Sequence, residues 1–299
     1  WTTSATANVA EGATAVATLA ATDSDTADSG GLTYSITTDD PASGTQFSVS
    51  GTALTIAAQD YENPGCGSGA DSLTCVVVLA ATDAANTATA HTITVTITDT
   101  NDQTPVYQAA DANDAFTVAE NTATSTVIDN GVITDTDTGN SFGCTLGGAD
   151  AGDFTCTISS SNAQLKFAAI PNYEIPVDAD ENNVYVVTVL IDDGVADDAN
   201  GATTLTITVT DLNDQAPAWT TSATANVAEG ATAVATLAAT DSDTADSGGL
   251  TYAITTDDPG SGTQFSVSGT ALTIAAQDYE TPACGSGSDS LTCVVVLAA

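Results

Sequence analysis

Residues 1–81 return as residues 219–299, displaced by 218 positions and altered at only five: Ser35/Ala253, Ala42/Gly260, Asn63/Thr281, Gly65/Ala283 and Ala70/Ser288. A unit repeated this closely must bury a core of its own, so the chain is an array rather than one large fold. Between the two copies lies a diverged third that keeps the same signals in the same order. NVAEG (8–12) answers to TVAEN (117–121), ATDSD (21–25) to ITDTD (133–137), and QDYE (59–62) to PNYE (171–174). LAATD (79–83) answers to VLIDD (189–193), and TDTNDQTP to TDLNDQAP. The expected boundaries are 1–105, 106–217 and 218–299. The last copy stops before its final strand and linker, so the chain reads as a slice of a longer array.

Each unit is a succession of short strands. In the first they are expected near 6–9, 14–21, 32–38, 46–50, 53–58, 74–81 and 88–98, with Gly51 turning a hairpin in SVSGTALTI. Ile93, Val95 and Ile97 alternate with Thr92, Thr94, Thr96 and Thr98, placing one face in a core and the other in water. About seven strands per unit with no helical period predict an antiparallel β-sandwich. The 42% hydrophobic content supports packed cores rather than disorder. No apolar run reaches the roughly 18–20 residues of a membrane helix, so no membrane insertion is expected in this segment.

Twice, a Thr-rich strand runs into a knot of acids and amides: Asp99, Asn101 and Asp102, then Asp211, Asn213 and Asp214. The chain has one Lys, no Arg and a formal charge of −38, which excludes nucleic acid and anionic membranes as partners. One reading of that charge is a solvated acidic surface adapted to salt; the other is that cations complete the structure. A pair of carboxylates about 4 Å apart repels by about 4 kcal/mol at an effective dielectric near 20. Lys166 cannot neutralise several such pairs. A hard divalent cation taking six to eight oxygens can, and Ca2+ suits this chemistry.

Six cysteines fall into local pairs, Cys66/Cys75, Cys144/Cys156 and Cys284/Cys293. Without CxxC spacing, and with His91 as the one histidine, they do not form a zinc site. Three local disulfides are preferred over free buried thiols, which points outside the cytosol. No Asn-x-Ser/Thr sequon is present. Trp1 corresponds to Trp219 and Tyr107, a recurrent first-strand aromatic, and is read as a core residue rather than an anchor for strand exchange. His91 is read as a surface strand residue.

These motifs together resemble cadherin repeats over the whole chain: AEG/AEN, DSD/DTD, DYE/NYE, ATD/LID and the DTNDQTP/DLNDQAP linkers. The second unit is especially similar to cadherin-like repeats of large microbial surface proteins. The resemblance implies tandem seven-stranded Greek-key sandwiches joined end to end, with about three Ca2+ ions per complete junction. Carried over by position, the first junction would use Glu11, Asp60 and Glu62, then Asp99, Asn101 and Asp102 with the carbonyls of Thr100 and Gln103. Asp135, Asp137 and Asp192 complete it, with a carbonyl near Asn140; Asp192 is preferred to Asp193 from its register with Asp83. Eight carboxylates against three divalent ions leave this junction close to neutral. The second would use Glu120, Glu174, Asp211, Asn213, Asp214, Asp241 and Asp243. It departs from the pattern at Asn172, which stands where the first unit has Asp60, and its strand-end Asp would lie past Ala299, so weaker binding is expected there. Asp23, Asp25 and Asp83 would serve a junction with a preceding unit, and Glu229, Asp278 and Glu280 one with a following unit.

The expected function is a structural or adhesive segment of a long extracellular surface protein, a rod stiffened by calcium. The alternatives are a repeat of a self-assembling filament or sheath, or a module that itself binds a homophilic, protein or glycan partner. A paired-carboxylate hydrolase is not expected, because the acids belong to the repeated pattern and no unit carries an insertion to wall a pocket.

Overall fold

The computed structural model describes residues 1–24, 31–40, 45–66, 73–83, 86–87, 90–139, 141–195, 201–243, 249–257, 263–284 and 292–299. In the first repeat the strands are β1 (Thr6–Ala10), β2 (Ala15–Thr18), β3 (Thr33–Thr38), β4 (Phe47–Ser50), β5 (Ala53–Ile56), β6 (Thr74–Thr82) and β7 (His91–Thr98). They form two sheets, β1-β7-β6-β3 and β2-β5-β4. β1 runs parallel to β7, and the other pairings are antiparallel. The hairpin predicted at Gly51 joins β4 to β5, Ser50 opposite Ala53, with Gly51 at φ 60°.

The second repeat holds β8 (Val106–Gln108), β9 (Ala115–Ala119), β10 (Asp129–Thr134), β11 (Gly143–Gly147), β12 (Phe154–Ser159), β13 (Asn162–Phe167), β14 (Val184–Asp192) and β15 (Thr203–Thr210). Its sheets are β11-β14-β15-β9 and β12-β13-β10-β8. The first strand is thus divided, β8 serving one sheet and β9 the other. In the third repeat β16 (Ala218–Trp219) pairs with β18 (Ala239–Thr240), and β19 (Ala253–Thr256) with β22 (Val296–Ala298). There β17 (Ala233–Thr236), β21 (Ala271–Ile274) and β20 (Phe265–Ser268) form the remaining sheet. The chain is all-β, a tandem array of β-sandwiches.

Period-two alternation drives the packing. Val77, Leu79, Ile93, Val95 and Ile97 fill the first core with Phe47, Leu54 and Ile56. Tyr185, Val187, Val189, Leu205, Ile207 and Val209 fill the second, where Phe154, Phe167 and Tyr185 pack as an aromatic trio. Leu237, Phe265, Leu272 and Ile274 form a smaller third core. Disulfides join Cys66–Cys75, Cys144–Cys156 and Cys284–Cys293. Cys144 on β11 and Cys156 on β12 tie together the two sheets of one sandwich. Trp1 packs against the first core, stacked on His91 at 4.8 Å and 5.6 Å from Tyr34.

Buried acids outside the junctions hold backbone in place. Asp150 accepts the N–H groups of Ala179 and Val186, as Asp40 accepts that of Val76 one repeat earlier. Asp129 accepts the Tyr107 hydroxyl and the Ala110 N–H. Gly131 makes room for this, since a Cβ there would overlap the Tyr107 ring. Among the described strands the only charged side chains are those of Asp129, Lys166 and Asp192. The remaining described carboxylates therefore collect in the loops.

Candidate metal centres

Glu11 follows β1 and is 9% exposed. Its two oxygens accept the N–H groups of Thr100 at 2.7 Å and Tyr61 at 2.8 Å. One carboxylate thereby fastens the segment after β7 to the Asp60–Glu62 loop. Glu120 repeats the clamp after β9, accepting from Leu212 and Tyr173, both at 2.8 Å. Asp60 uses one oxygen to cap the N–H groups of Glu62 and Asn63.

Across the first junction, Asp99 accepts the N–H and hydroxyl of Thr138, each at 2.5 Å. Asp137, 8% exposed, accepts the N–H groups of Asp102 and Gln103. Gln103 donates its amide to Asp102, Asn101 donates its amide to the Asp193 carbonyl, and Asp135 accepts the Asp137 N–H. Groups of carboxylates, each within 4.8 Å, result among the described residues, including Glu11–Asp60–Glu62, Glu62–Asp99–Asp137 and Asp135–Asp137–Asp193.

At the second junction the groups include Glu120–Glu174–Asp211 and Glu174–Asp214–Asp243. Asp243 is fully buried and accepts the Gln215 N–H, and Asp241 accepts the Asp243 N–H. Asn213 is exposed in the same linker. Asn172 caps the Ile175 N–H with its side-chain oxygen.

Several buried oxygens here lack a hydrogen-bond donor. Both carboxylate oxygens of Glu62 and of Glu174 are in this state, as is one oxygen each of Asp99, Asn101, Asp135, Asp193 and Asp243. Burial, and then the carboxylates of Glu11, Asp137 and Asp99, push the Glu62 carboxyl up to about 7. Glu174 rises by burial, then through Glu120, Asp214 and Asp243. Uncompensated carboxylates of this kind fit a hard cation with oxygen ligands, and no Arg or second Lys exists to take its place.

One expected residue is displaced. Asp192 is exposed at the end of β14, and one of its oxygens accepts the Gly194 N–H. The neighbouring Asp193, 7% exposed, joins Asp135 and Asp137 instead. Strand parity explains this: Tyr185, Val187, Val189 and Ile191 point inward, and Asp193 continues their series as Asp83 continues Cys75, Val77, Leu79 and Ala81. Asn140 and Asp25 lie outside the described residues. Asp23 and Asp83 of the first repeat are half-buried, and Asp83 accepts the Asn86 N–H. Glu229, Asp278 and Glu280 are exposed at the far end of the third. The Asp278 carboxyl is held low by hydrogen bonds, chiefly from Thr281. Sequence reasoning missed Thr138 and Asn121, whose amide donates to Asp214 at 2.5 Å. Thr138 carries no motif signal. Asn121 had one, standing where the first repeat has Gly12.

No protein-family model matches the chain. A stretch of 141 residues, 47% of the chain, is 27% identical to Cadherin-99C of Drosophila melanogaster, and spans 8% of that protein's length. In structure the chain is similar to repeats EC3–6 of protocadherin gammaB7, solved as a cis-dimer, with a TM-score of 0.61 and 24% identity over 92% of this chain and 64% of that one. It is also similar to human CDH23 EC21–23, with a TM-score of 0.59 and 19% identity over 92% of this chain and 89% of that one. The human desmocollin-1 ectodomain matches at 0.58 and 17% identity, over 93% and 53%. The fold is that of cadherin extracellular repeats.

Proposed function

We propose that the chain is part of a long extracellular surface protein, in which calcium fixes the orientation of successive sandwiches and makes the array a stiff rod. The observation that carries this reading is Glu62, whose donor-free carboxylate lies against acids of both its own repeat and the next. The domain boundaries fall at 105/106 and 217/218, so that each linker belongs to a junction. Glu11, Asp60, Glu62, Asp99, Asn101, Asp102, Asp135, Asp137 and Asp193 would hold calcium at the first junction. Glu120, Glu174, Asp211, Asn213, Asp214, Asp241 and Asp243 would hold it at the second. About three ions per complete junction would bring the acids near neutrality. Extracellular modules of this sort bind calcium at about 10⁻⁴–10⁻³ M, matched to its concentration outside cells. The disulfides accord with that compartment. The role is to extend or adhere rather than to catalyse, and a microbial surface is its proposed setting, although the named relatives are fly and human proteins.

Small-angle scattering with and without chelator tests the rod. Calcium removal should change the maximum dimension as unneutralised carboxylates loosen the joints; an unchanged value would sink the reading. Lateral assembly into a filament is a second reading, favoured by one observation. The outward side chains of β1, β7, β6 and β3 are Thr, Ser, Asn, Val and Ala without a charge. Copies carrying −38 each can approach through such faces with least repulsion.

A further inference from the structure

The two junctions share one frame, and two of the exchanges between them fall beside the glutamate clamp. Glu11 and Glu120 make the same pair of backbone clamps. Beside the first clamp stands Gly12 at φ 69°; beside the second stands Asn121 at φ 60°. Gly and Asn are the residues that adopt this left-handed conformation most readily, so the exchange leaves the backbone unchanged and adds one side-chain amide. That amide reaches across to the linker and donates to Asp214 at 2.5 Å, while the other Asp214 oxygen accepts the Gln215 amide at 2.6 Å. The second difference is Asn172 at the position of Asp60. It removes a charge beside the clamp, leaving Glu120 and Glu174, grouped with Asp211, where the first junction has Glu11, Asp60 and Glu62. The Asn172 oxygen is committed to the Ile175 N–H at 2.8 Å.

We infer that at the second junction the Asn121 amide does the work of the outer cation, pinning the linker to the preceding sandwich by a hydrogen bond, so that this junction holds one calcium ion fewer than its acids suggest. A cation and an amide donor answer the same need, which is positive charge or partial charge against a linker carboxylate. With Asp60 replaced by a neutral residue, the outer position has lost the ligand that would favour the ion. The inner position keeps its carboxylates, since Asp214 still groups with Glu174 and Asp243. The array would then contain two kinds of joint, one fully dependent on calcium and one partly held without it.

This inference rests on the reading of the junctions as calcium sites, and counting bound calcium on the whole chain separates the two. The test is equilibrium dialysis at saturating calcium, with elemental analysis, on the wild type and two double variants. N121G/N172D gives the second junction the Gly and Asp that flank the clamp of the first and should bind one more ion per chain. G12N/D60N makes the reverse change and should bind one fewer; a Cβ at Gly12 meets no atom within 4 Å, so the site has room for the side chain. An unchanged count in a folded N121G/N172D chain overturns the inference while leaving the calcium reading intact. Should that variant fail to fold by circular dichroism, G12N/D60N decides alone, loss of one ion supporting the inference and an unchanged count overturning it. A wild-type chain that binds no calcium at millimolar concentration overturns both.

Discussion

A carboxylate oxygen of Glu62 lies within 4.8 Å of one on Asp137, although the two residues belong to successive repeats. At that separation like charges repel by about 3 kcal/mol at an effective dielectric near 20. The cation-free junction is therefore strained by its own charge, and each prediction about calcium or acid follows from relieving it.

Replacing Glu62 with Gln should act in opposite directions on two measurements. Calcium affinity at the first junction should fall by about tenfold or more, equivalent to about 1.4 kcal/mol, because a ligand shared by two carboxylate groups is lost. In chelator the same variant should melt higher than wild type, since an uncompensated buried charge has gone. Titration calorimetry and thermal melts read the two arms; a variant that melts lower in chelator would contradict the assignment.

Acid should stabilise the chelated chain. The Glu62 carboxyl moves from 4.5 to about 7 in the folded state, so between those values the native form holds a proton that the unfolded form has released. Its stability contribution is greatest below pH 4.5 and is lost as pH rises through about 7. Glu174 shifts in the same sense. Without calcium the melting temperature should be higher at pH 5 than at pH 7.5, and E62Q should flatten that slope. With calcium present, acid competes with the ion and the calcium-dependent increment should shrink.

Removing both Cys144 and Cys156, as Ala, should cost about 3 kcal/mol. The bridge closes a separation of 12 residues and joins the two sheets of the second sandwich. Chemical denaturation followed by near-ultraviolet circular dichroism, sensitive to the packing of Phe154, Phe167 and Tyr185, reads this repeat. A loss below 1 kcal/mol would show that the sheets hold each other without the bridge.

Hydrogen exchange should distinguish identical sequences. The segment TANVAEG is β1 and its exit in the first repeat, but its copy at 224–230 forms no strand. The peptide common to 6–19 and 224–237 should give a bimodal isotopic envelope, the third repeat exchanging faster. A single envelope would mean that the two environments protect the backbone equally.

Most strands were legible because alternation is a local property: Ile93, Val95 and Ile97 announce which face is buried wherever the strand is placed. The acids were legible as a constellation, because linker, AEG and DYE motifs recur in order. The choice between Asp192 and Asp193 was not legible, because a DD pair gives no parity by itself; the inward series from Tyr185 to Ile191 continues to Asp193, which lies with Asp135 and Asp137. Asn121 was passed over because its partner, Asp214, is 93 residues away, and only the folded junction brings the two together.

By itself the sequence determined the repeat, the parity of each strand and the confinement of acids to loops, all set by neighbours along the chain. Tertiary structure decided what the same residues become. In the first repeat Val9 pairs with Ile97 across parallel strands and is 3% exposed, and Glu11 is buried. In the third, Val227 is half-buried and Glu229 exposed, and among the described residues 224–230 belongs to no strand. A strand needs a partner for its N–H and C=O groups and a cover for its apolar face, and neither is encoded in the five residues TANVA.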